Sequence, residues 1–234
     1  MKGVIIAGGL GTRLHPITLE IPKALLTVKR KPIIQYLVEL MRDSGVEEIF
    51  VLVNKNDASL FKQWKKAYHN DDVTLIQEET RLGTWGGIKK YLHKELSDTF
   101  LVSNADELKE TDIIAKYKFH KEKGALVTIA TVEVTNPREY GVLVSDGEGR
   151  VLEFHYKPQN PPTNYIMSGI YIAEPELFDL SHDEEVISFE EEVLPCVIEK
   201  GKLYEFRSNG RWYDCGTFER YERAIKEWDK EASQ

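Results

Sequence analysis

A glycine-rich loop near the N-terminus carries residue types that bind polyphosphates. It runs from Gly8 to Arg13, directly after an apolar run at 3–7, and Lys23 follows ten residues after Arg13. Glycines let backbone N–H groups approach an anion without a Cβ in the way. Arg13 adds a planar cation with several donors, and Lys23 adds a second positive charge. The spacing therefore predicts a loop that holds a polyphosphate, although a glycine-rich turn with a surface arginine is the other interpretation.

Two widespread nucleotide loops do not fit this stretch. The dinucleotide fingerprint G-x-G-x-x-G would need a third glycine where Leu14 stands. The acidic residue that binds a ribose would follow the second strand, and Asn54 stands there instead. The Walker A string G-x-x-x-x-G-K-S/T does not occur in the sequence. These departures disfavour a nicotinamide oxidoreductase and favour another kind of phosphate-binding loop.

Two aspartates are candidates for a metal site. Asp106 follows an apolar run at 99–103, and Asp214 lies between a short strand and the last predicted helix. In an open α/β sheet, ligands bind beyond the carboxyl ends of the strands, which places Asp106 at the same edge as the glycine loop. Carboxylates at that edge suit Mg²⁺, which takes few carboxylates together with phosphate oxygens. From position alone, Asp106 could equally cap a turn, and Asp214 could stabilise a helix N-terminus.

The glycine loop is part of a longer string that resembles a family signature. Residues 7–18 are AGGLGTRLHPIT and residues 22–26 are PKALL, and both are similar to the signature of the sugar-1-phosphate nucleotidyltransferases. The resemblance continues in Leu82-Gly83-Thr84, in Lys157-Pro158 and in the string WYDCGT at 212–217. That family makes a nucleotide sugar and pyrophosphate from a nucleoside triphosphate and a sugar 1-phosphate. The resemblance implies this activity and the family's Rossmann-like three-layer α/β fold, with a mostly parallel mixed sheet.

The resemblance also implies roles for the residues that match family motifs, in an in-line attack of the sugar phosphate on the α-phosphorus without a general base. The glycine loop and Arg13 would hold the triphosphate, and Lys23 and Lys157 would hold the sugar phosphate. The expected nucleotide-binding residues are Ala7, Gly8, Gly9, Gly11, Thr12, Arg13, Gln77, Gly83 and Thr84. The expected sugar-binding residues are Gly141, Tyr156, Lys157 and Gly169. The expected catalytic residues are Arg13, Lys23, Asp106, Lys157 and Asp214, and the two aspartates would bind the cofactor Mg²⁺.

Two positions depart from the family pattern and bear on the substrate. Tyr156 stands where the family has a sugar-facing glutamate, and Ala105 stands where the family has a glycine. A carboxylate accepts hydrogen bonds from two sugar hydroxyls, whereas tyrosine offers one hydroxyl and an apolar face. We therefore expect a mannose- or heptose-type 1-phosphate, and Leu82-Gly83-Thr84 favours GTP. The alternatives are a glucose-1-phosphate thymidylyl- or uridylyltransferase and a non-catalytic regulatory subunit that binds nucleotide sugars.

Alternating strand and helix patterns in the first half of the chain must position these residues. Such alternation predicts a mostly parallel sheet that is covered on both faces. Pro32 is expected at a first helical position, and Thr84 and Thr111 are expected as helix N-caps. The predicted strands are 3–7, 48–53, 73–77, 99–103 and 125–134, and the predicted helices are 32–44, 56–68, 84–95 and 111–122.

The second half has shorter strands and more turn signals. Ser188 and Glu191 form a capping-box pattern at the start of a helix predicted over 188–199. A last helix is predicted after Thr217, with an apolar face formed by Tyr221, Ala224, Ile225 and Trp228. Strands are predicted at 141–145, 151–156, 165–173 and 203–207. We expect one catalytic domain over 1–234, with a nucleotide-binding half at about 1–124 and a sugar-binding and lid half at about 125–234.

Charge and composition restrict the class of partner. The 234-residue chain has a formal net charge of −8, with residues of both signs interleaved. This pattern argues against a nucleic-acid or anionic-membrane partner, so the expected partners are the two small-molecule substrates. The apolar run at 3–7 is too short for a signal peptide or a membrane span, and Cys196 and Cys215 have no disulfide or metal-ligand spacing. We expect a cytoplasmic protein, and a homo-oligomer stays open.

Overall fold

The computed structural model describes residues 1–181 and 184–229. Most of its strands form one large sheet, and two short antiparallel pairs lie beside it. The strands are β1 (Lys2–Ile6), β2 (Thr27–Val28), β3 (Lys31–Pro32), β4 (Glu48–Asn54), β5 (Val73–Glu78), β6 (Phe100–Asn104), β7 (Glu107–Lys109), β8 (Val127–Glu133), β9 (Gly141–Ser145), β10 (Val151–Tyr156), β11 (Tyr165–Ala173), β12 (Leu203–Arg207) and β13 (Trp212–Asp214). The α-helices are α1 (Ile33–Asp43), α2 (Ala58–Ala67), α3 (Gly83–Leu92), α4 (Ile113–Lys123), α5 (Leu194–Glu199) and α6 (Phe218–Glu227).

The large sheet joins the two halves of the chain. Its order is β10-β9-β11-β6-β1-β4-β5, and β8 pairs with both β11 and β12. Strands β6, β1, β4 and β5 are parallel neighbours, whereas β11 runs antiparallel to β6. The carboxyl ends of the four parallel strands therefore lie at one edge, where the first turn of the glycine loop and Asp106 also lie.

Side chains that alternate along the strands form two cores, one on each face of the sheet. Val4 of β1 and Val102 of β6 belong to one core together with Trp85 of α3. The next residue of β1, Ile5, belongs to a second core with Leu37 of α1. Successive residues of a strand point to opposite faces, so the two cores lie on opposite sides of the sheet. This arrangement confirms the predicted three-layer α/β fold with a mixed sheet.

A short ribbon outside the sheet brings the two candidate metal ligands together. β7 follows directly after Asp106, and it pairs antiparallel with β13, whose last residue is Asp214. Glu107 is the register partner of Asp214, and the Cys215 N–H donates to the Asp106 carbonyl at 3.2 Å. Two residues 108 positions apart in sequence thus become neighbours. Strand β7 was not predicted, because three residues are too few to show a period.

The helix starts differ from the predicted caps in the first half. Asp112, not Thr111, caps α4, since its carboxylate accepts from the Ala115 N–H at 2.8 Å. Thr84 lies inside α3, where its hydroxyl accepts from the Phe189 N–H at 2.8 Å and donates to Glu190 at 2.6 Å. The Thr84 hydroxyl therefore bonds to residues distant in sequence instead of capping the helix that contains it. Pro32 precedes α1 as its N-cap residue instead of occupying the first helical position.

The capping box at Ser188 is formed with a shift of one residue. The Ser188 hydroxyl accepts from the Glu191 N–H at 3.2 Å, as predicted. The Ser188 N–H, however, donates to the Glu192 carboxylate at 2.6 Å and not to that of Glu191. The shift arises because the first turn, Phe189–Val193, is π-helical, so it holds more residues than an α-turn. The predicted apolar face of α6 needs a second correction, because Ile225 is 38% exposed while Ala224 is buried. Among the described residues, no helix is long and apolar enough to cross a membrane.

Candidate active site

The glycine loop is closed by contacts with the segment that carries Lys23. Gly11 has φ +59°, in the left-handed region, and a Cβ there would lie 3.0 Å from Thr18 Cγ2 and 3.3 Å from Lys23 Cβ. The Thr18 hydroxyl donates to the Gly11 carbonyl at 2.8 Å. Glycine meets both the backbone angle and the narrow space. The loop therefore holds Arg13 and Lys23 on one side of the sheet edge.

A cavity of about 340 Å³ opens beside this loop. It lies beyond the carboxyl ends of β1 and β6, where ligands bind in open α/β sheets. Its wall contains most of the predicted nucleotide-binding residues. The lining of this first cavity is Ile6, Ala7, Gly9, Gly11, Thr12, Arg13, Lys23, Ala24, Thr84, Asn104, Ala105, Asp106 and Gly216.

A second cavity of about 210 Å³ adjoins the first. Arg13, Asn104 and Asp106 line both cavities, so ligands in the two would meet at Asp106. All four predicted sugar-binding residues belong to the second wall. Its lining is Arg13, Asn104, Asp106, Glu107, Glu139, Tyr140, Gly141, Tyr156, Lys157, Met167, Gly169, Glu190, Asp214 and Arg220.

Lys23 lies between the two candidate metal ligands. Its Nζ donates to Asp106 Oδ2 at 2.6 Å and lies 3.8 Å from Asp214 Oδ1, and the residue is 7% exposed. Burial alone would raise the pKa of Asp106, but the charge and hydrogen bond of Lys23, with help from the charge of Lys109 and a backbone hydrogen bond, lower it overall. The carboxylates of Asp106 and Asp214 thus both lie beside the Lys23 ammonium. Lys23 lines the first cavity, whereas the sequence prediction assigned it to the sugar phosphate.

Asp214 is bound on its other side by Arg220, which the sequence analysis did not single out. Arg220 Nη1 donates to Asp214 Oδ2 at 2.6 Å, and Arg220 Nη2 lies 2.8 Å from Glu139 Oε2. The Tyr140 hydroxyl donates to Asp214 Oδ2 at 3.3 Å, and burial, then the Asp214 charge, raises the pKa of Tyr140. The first turn of α6 therefore fixes Asp214. Arg220 lies six residues beyond Asp214, and that spacing was the available signal.

The pair of aspartates fits Mg²⁺ better than a metal that needs a protein cage. Among residues 1–181 and 184–229, no three His, Cys, Asp or Glu side chains cluster as a metal site. Asp106 lines both cavities and Asp214 lines the second, and both walls contain cationic side chains that suit phosphate oxygens. Mg²⁺ usually takes one or two carboxylates and completes its shell with phosphate oxygens and water. The donor set is therefore suited to an ion that arrives with a phosphate ligand.

Arg13 and Lys157 lie at the exposed rims of the cavities. The Arg13 side chain is 58% exposed and its Nη1 lies 3.8 Å from Glu139 Oε2. A Cβ at Gly216 would lie 2.8 Å from Arg13 Nη2, which places the guanidinium beside the Asp214 loop. Lys157 Nζ donates to the Tyr156 hydroxyl at 2.9 Å and lies 4.5 Å from the centre of that ring. Both cations are thus accessible to a phosphate group.

Three predicted nucleotide-binding residues lie outside both cavity walls. Gly8 and Gln77 are not part of either lining, and Gly83 packs against the backbone of Ile187. Their contact with a bound nucleotide stays a prediction. Beside Gly8 lies a carboxylate that the sequence analysis missed, because a Cβ at Gly8 would be 2.8 Å from Glu78 Oε2. Burial raises the pKa of Glu78 to about 7.

Comparisons with known proteins agree with this geometry. The family model described as nucleotidyl transferase matches residues 2–231. The mannose-1-phosphate guanyltransferase of Pichia angusta is 35% identical over 224 residues, which are 92% of this chain and 61% of that protein. The UTP–glucose-1-phosphate uridylyltransferase of Synechocystis is 34% identical, with coverage of 97% of this chain and 63% of that protein. The chain thus spans about three-fifths of the length of these curated relatives.

Solved structures of similar proteins share the fold over nearly the whole chain. HddC from Yersinia pseudotuberculosis is 30% identical, with a TM-score of 0.80 and coverage of 97% of this chain and 99% of that one. The same protein complexed with GMP-PN is 29% identical, with a TM-score of 0.78. A structure from Bacillus anthracis, 22% identical, has a TM-score of 0.89 and supports the fold alone. With the family model matched over residues 2–231, the chain belongs to the nucleotidyl transferase family.

Proposed function

We propose that this protein transfers a nucleotidyl group from a nucleoside triphosphate to a sugar 1-phosphate and releases pyrophosphate. The observation that carries the proposal is the junction of the two cavities. Asp106 lines both of them, and Lys23 lies between Asp106 and Asp214 at that junction. A triphosphate in the first cavity and a sugar phosphate in the second would meet there.

The chemistry is one in-line displacement. A phosphate oxygen of the sugar 1-phosphate attacks the α-phosphorus, the bond from that phosphorus to the β-phosphate bridging oxygen breaks, and pyrophosphate leaves with the electron pair. The attacking phosphate is already an anion at neutral pH, so no side chain has to remove a proton. Catalysis then consists of positioning and of offsetting negative charge.

The chain's own cations provide most of this positioning. The backbone N–H groups of the glycine loop and the Arg13 guanidinium bind the triphosphate, and Lys157 binds the sugar phosphate at the opposite rim. Lys23 lies where the two phosphates approach one another. Asp106 and Asp214 would hold Mg²⁺, and a bound ion would supply positive charge against the phosphates. Arg220 holds Asp214 in place from the α6 side.

The preferred substrates are GTP and a mannose- or heptose-type 1-phosphate. The names of the Pichia relative and of a 32% identical Mycobacterium tuberculosis mannose-1-phosphate guanylyltransferase support this choice. So does the replacement of a family glutamate by Tyr156 at the second cavity. The uridylyltransferase relative favours the alternative of UTP with glucose 1-phosphate. A non-catalytic regulatory subunit is disfavoured, because Arg13, Lys23, Asp106 and Asp214 are all present.

A matrix of substrates tests the proposal. Pyrophosphate release would be measured with GTP, UTP, dTTP, CTP and ATP, each with mannose, glucose and a heptose 1-phosphate. We expect the largest kcat/KM for GTP with the mannose or heptose compound. Absence of pyrophosphate release from every pair would contradict the transferase activity. A preference for dTTP with glucose 1-phosphate would contradict the substrate assignment alone.

A further inference from the structure

The carboxylate of Glu107 lies on the wall of the second cavity, and the proposed function does not yet use it. Glu107 begins β7 directly after Asp106, and its side chain is 12% exposed. We propose that Glu107 recognises one ring hydroxyl of the bound sugar, and so replaces the carboxylate that is lost where Tyr156 stands. This inference rests on the proposed function, because it names a specificity residue of the same site.

A break in β11 makes the space for this carboxylate. The pairing of β11 with β8 shifts register between Met167 and Tyr171, and Gly169 in that interval has φ +61°. A Cβ at Gly169 would lie 2.5 Å and 2.7 Å from the two oxygens of Glu107. The carboxylate therefore lies directly over Gly169, in room that a side chain would fill. Irregularities of this kind commonly redirect groups beside a ligand site.

One hydrogen bond and one ion pair fix a single oxygen of the Glu107 carboxylate. Trp212 Nε1 donates to Oε2 at 3.0 Å, and Lys109 Nζ lies 2.9 Å from the same atom. Within the part of the chain that the structure describes, no donor bonds to Oε1. Oε1 is therefore the oxygen left to face the second cavity, where a ligand hydroxyl can donate to it in place of water.

The alternative role for Glu107 is structural, as the partner of buried Lys109. Lys109 Nζ, however, also donates to the Ser168 carbonyl at 2.9 Å, to Ser103 Oγ at 3.0 Å and to the Gly169 carbonyl at 3.1 Å. Three neutral oxygens thus match the three N–H donors of this lysine. The Glu107 carboxylate therefore offsets the charge of Lys109 but supplies no hydrogen bond that the lysine lacks, and Lys109 acts as a positioning residue.

The other carboxylates of the second cavity are less suited to this role. The Glu139 side chain is 52% exposed and lies 2.8 Å from Arg220, so water competes for its remaining oxygen. Glu190 accepts from the Thr84 hydroxyl at 2.6 Å, which ties it to α3. Asp106 and Asp214 are both engaged by Lys23. Glu107 combines low exposure with a fixed orientation toward the cavity.

The test compares Glu107→Gln and Glu107→Asp with the wild type on the best substrate pair from the matrix. Glu107→Asp keeps the charge beside Lys109 but withdraws the oxygens by one methylene. We expect the KM for the sugar 1-phosphate to rise roughly 10- to 100-fold in both variants, as for a lost hydrogen bond to a charged group. The KM for the nucleotide should change less than about threefold.

A series of monodeoxy sugar 1-phosphates identifies the contact. For the wild type, removal of one particular ring hydroxyl should raise the KM about as much as Glu107→Gln raises it for the intact sugar 1-phosphate. In the Glu107→Gln variant, removal of the same hydroxyl should raise the KM little further. Glu153→Gln is the matched control, because Glu153 is an exposed carboxylate paired with His155 in β10 and belongs to neither wall. Equal losses for every deoxy analogue, or a drop in melting temperature with unchanged KM, would show a structural role and overturn the inference.

Direct binding separates this inference from the proposed function. If the wild type releases no pyrophosphate from any pair, the proposed function fails, and calorimetric titration with GDP-mannose then decides the role of Glu107. A Kd raised by at least about tenfold in Glu107→Gln, with GDP binding unchanged, supports the inference. No binding of GDP-mannose to the wild type, or equal affinity for the variant, overturns it.

Discussion

The Arg13 guanidinium lies at the mouth of the first cavity, where its exposure and its position have different consequences. More than half of its side chain is exposed, so little of the fold depends on it. We expect Arg13→Ala to lower kcat/KM by at least about a hundredfold, because a charge-assisted phosphate contact is lost. The melting temperature should change by less than about 2 °C.

Arg150→Ala is the matched control for that experiment. Arg150 is 51% exposed and pairs with Asp146 in the β9–β10 turn, away from both cavities. Steady-state kinetics of both variants would be compared at saturating sugar 1-phosphate. Turnover of Arg13→Ala within threefold of the Arg150→Ala value would remove Arg13 from the phosphate site.

Glu78 supplies a pH-dependent prediction about stability. Its carboxylate lies between Gly8 and Gly87, and burial raises its pKa from 4.5 to about 7. A raised pKa in the folded state means that this carboxyl costs nothing below pH 4.5 and that stability is lost as the pH rises to about 7. We expect Glu78→Gln to match the wild type at pH 4.5 and to be more stable by roughly 1–3 kcal/mol at pH 8.

Urea unfolding at the two pH values measures this difference. The neighbouring Glu79 is exposed and pairs with Lys55 in an ion pair, so Glu79→Gln should change stability little at either pH. A Glu78→Gln variant that is less stable than the wild type at pH 8 would show that the ionised carboxylate has a donor.

The residues that the sequence identified and the residues that it missed differ in one respect. Arg13 and Lys23 belong to a contiguous string, and Asp106 follows an apolar strand, so local pattern was enough to find them. Glu78 and Glu107 have no local signal, and Arg220 has only its spacing of six residues from Asp214. Their places in the site are set by contacts made in the folded chain, with glycines for Glu78 and Glu107 and with Asp214 for Arg220.

At the scale of elements, α4 carries an unusual group into the interior. Lys116 is fully buried, its Nζ has no hydrogen-bond partner, and burial, with a contribution from Lys109, lowers its pKa from 10.5 to about 7. The folded state therefore favours the neutral amine, and its stability is lost as the pH falls from 10.5 to about 7. We expect Lys116→Met to raise the free energy of unfolding at pH 7 by roughly 1–4 kcal/mol.

A control on the same helix isolates burial from helix propensity. Lys118 is exposed two residues further along α4, and Lys118→Met makes the same chemical change in water. Chemical denaturation at pH 7 and pH 10.5 should show the gain for Lys116→Met shrinking at the higher pH. An equal gain at both values would mean that packing, not the charge, sets the effect.

Element prediction from the sequence succeeded where a period was long enough to detect. The strands of the large sheet were each predicted within about two residues, as was the start of α6 after Thr217. The three-residue strand β7 was missed, and the π-helical turn Phe189–Val193 shifted a predicted capping box. Both features depend on partners elsewhere in the chain: β13 pairs with β7, and Glu192 bonds to Ser188.

At the scale of the whole molecule, the site lies where the two halves of the chain share a sheet. The first half supplies the glycine loop and Asp106, and the second half supplies Lys157 and, through the β7–β13 ribbon, Asp214. The chain as a whole is acidic, with a formal net charge of −8, yet the proposed function requires its site to hold two anionic substrates. Under that proposal, local cations and a divalent ion would have to offset repulsion at the junction of the cavities.

This requirement leads to a prediction about metal removal. Pyrophosphate release should be abolished by EDTA and restored by Mg²⁺, because two phosphates approach beside two carboxylates while Lys23 is the nearest buried cation. Asp106→Asn and Asp214→Asn should each retain the fold and lose at least about a hundredfold in kcat. Asp43→Asn, at the exposed end of α1, is the control and should change neither property.

Three readouts decide whether the carboxylates act through the metal. In the wild type, the rate should saturate as the Mg²⁺ concentration rises. In each aspartate variant, the Mg²⁺ concentration that gives half of the maximal rate should be higher. Lys23 should keep its contact with the remaining carboxylate, so the circular dichroism spectrum and the melting temperature of each variant should stay close to those of the wild type. Full activity in EDTA, or aspartate variants with wild-type Mg²⁺ dependence, would show that the protein's own cations offset the charge without a metal held by the two aspartates.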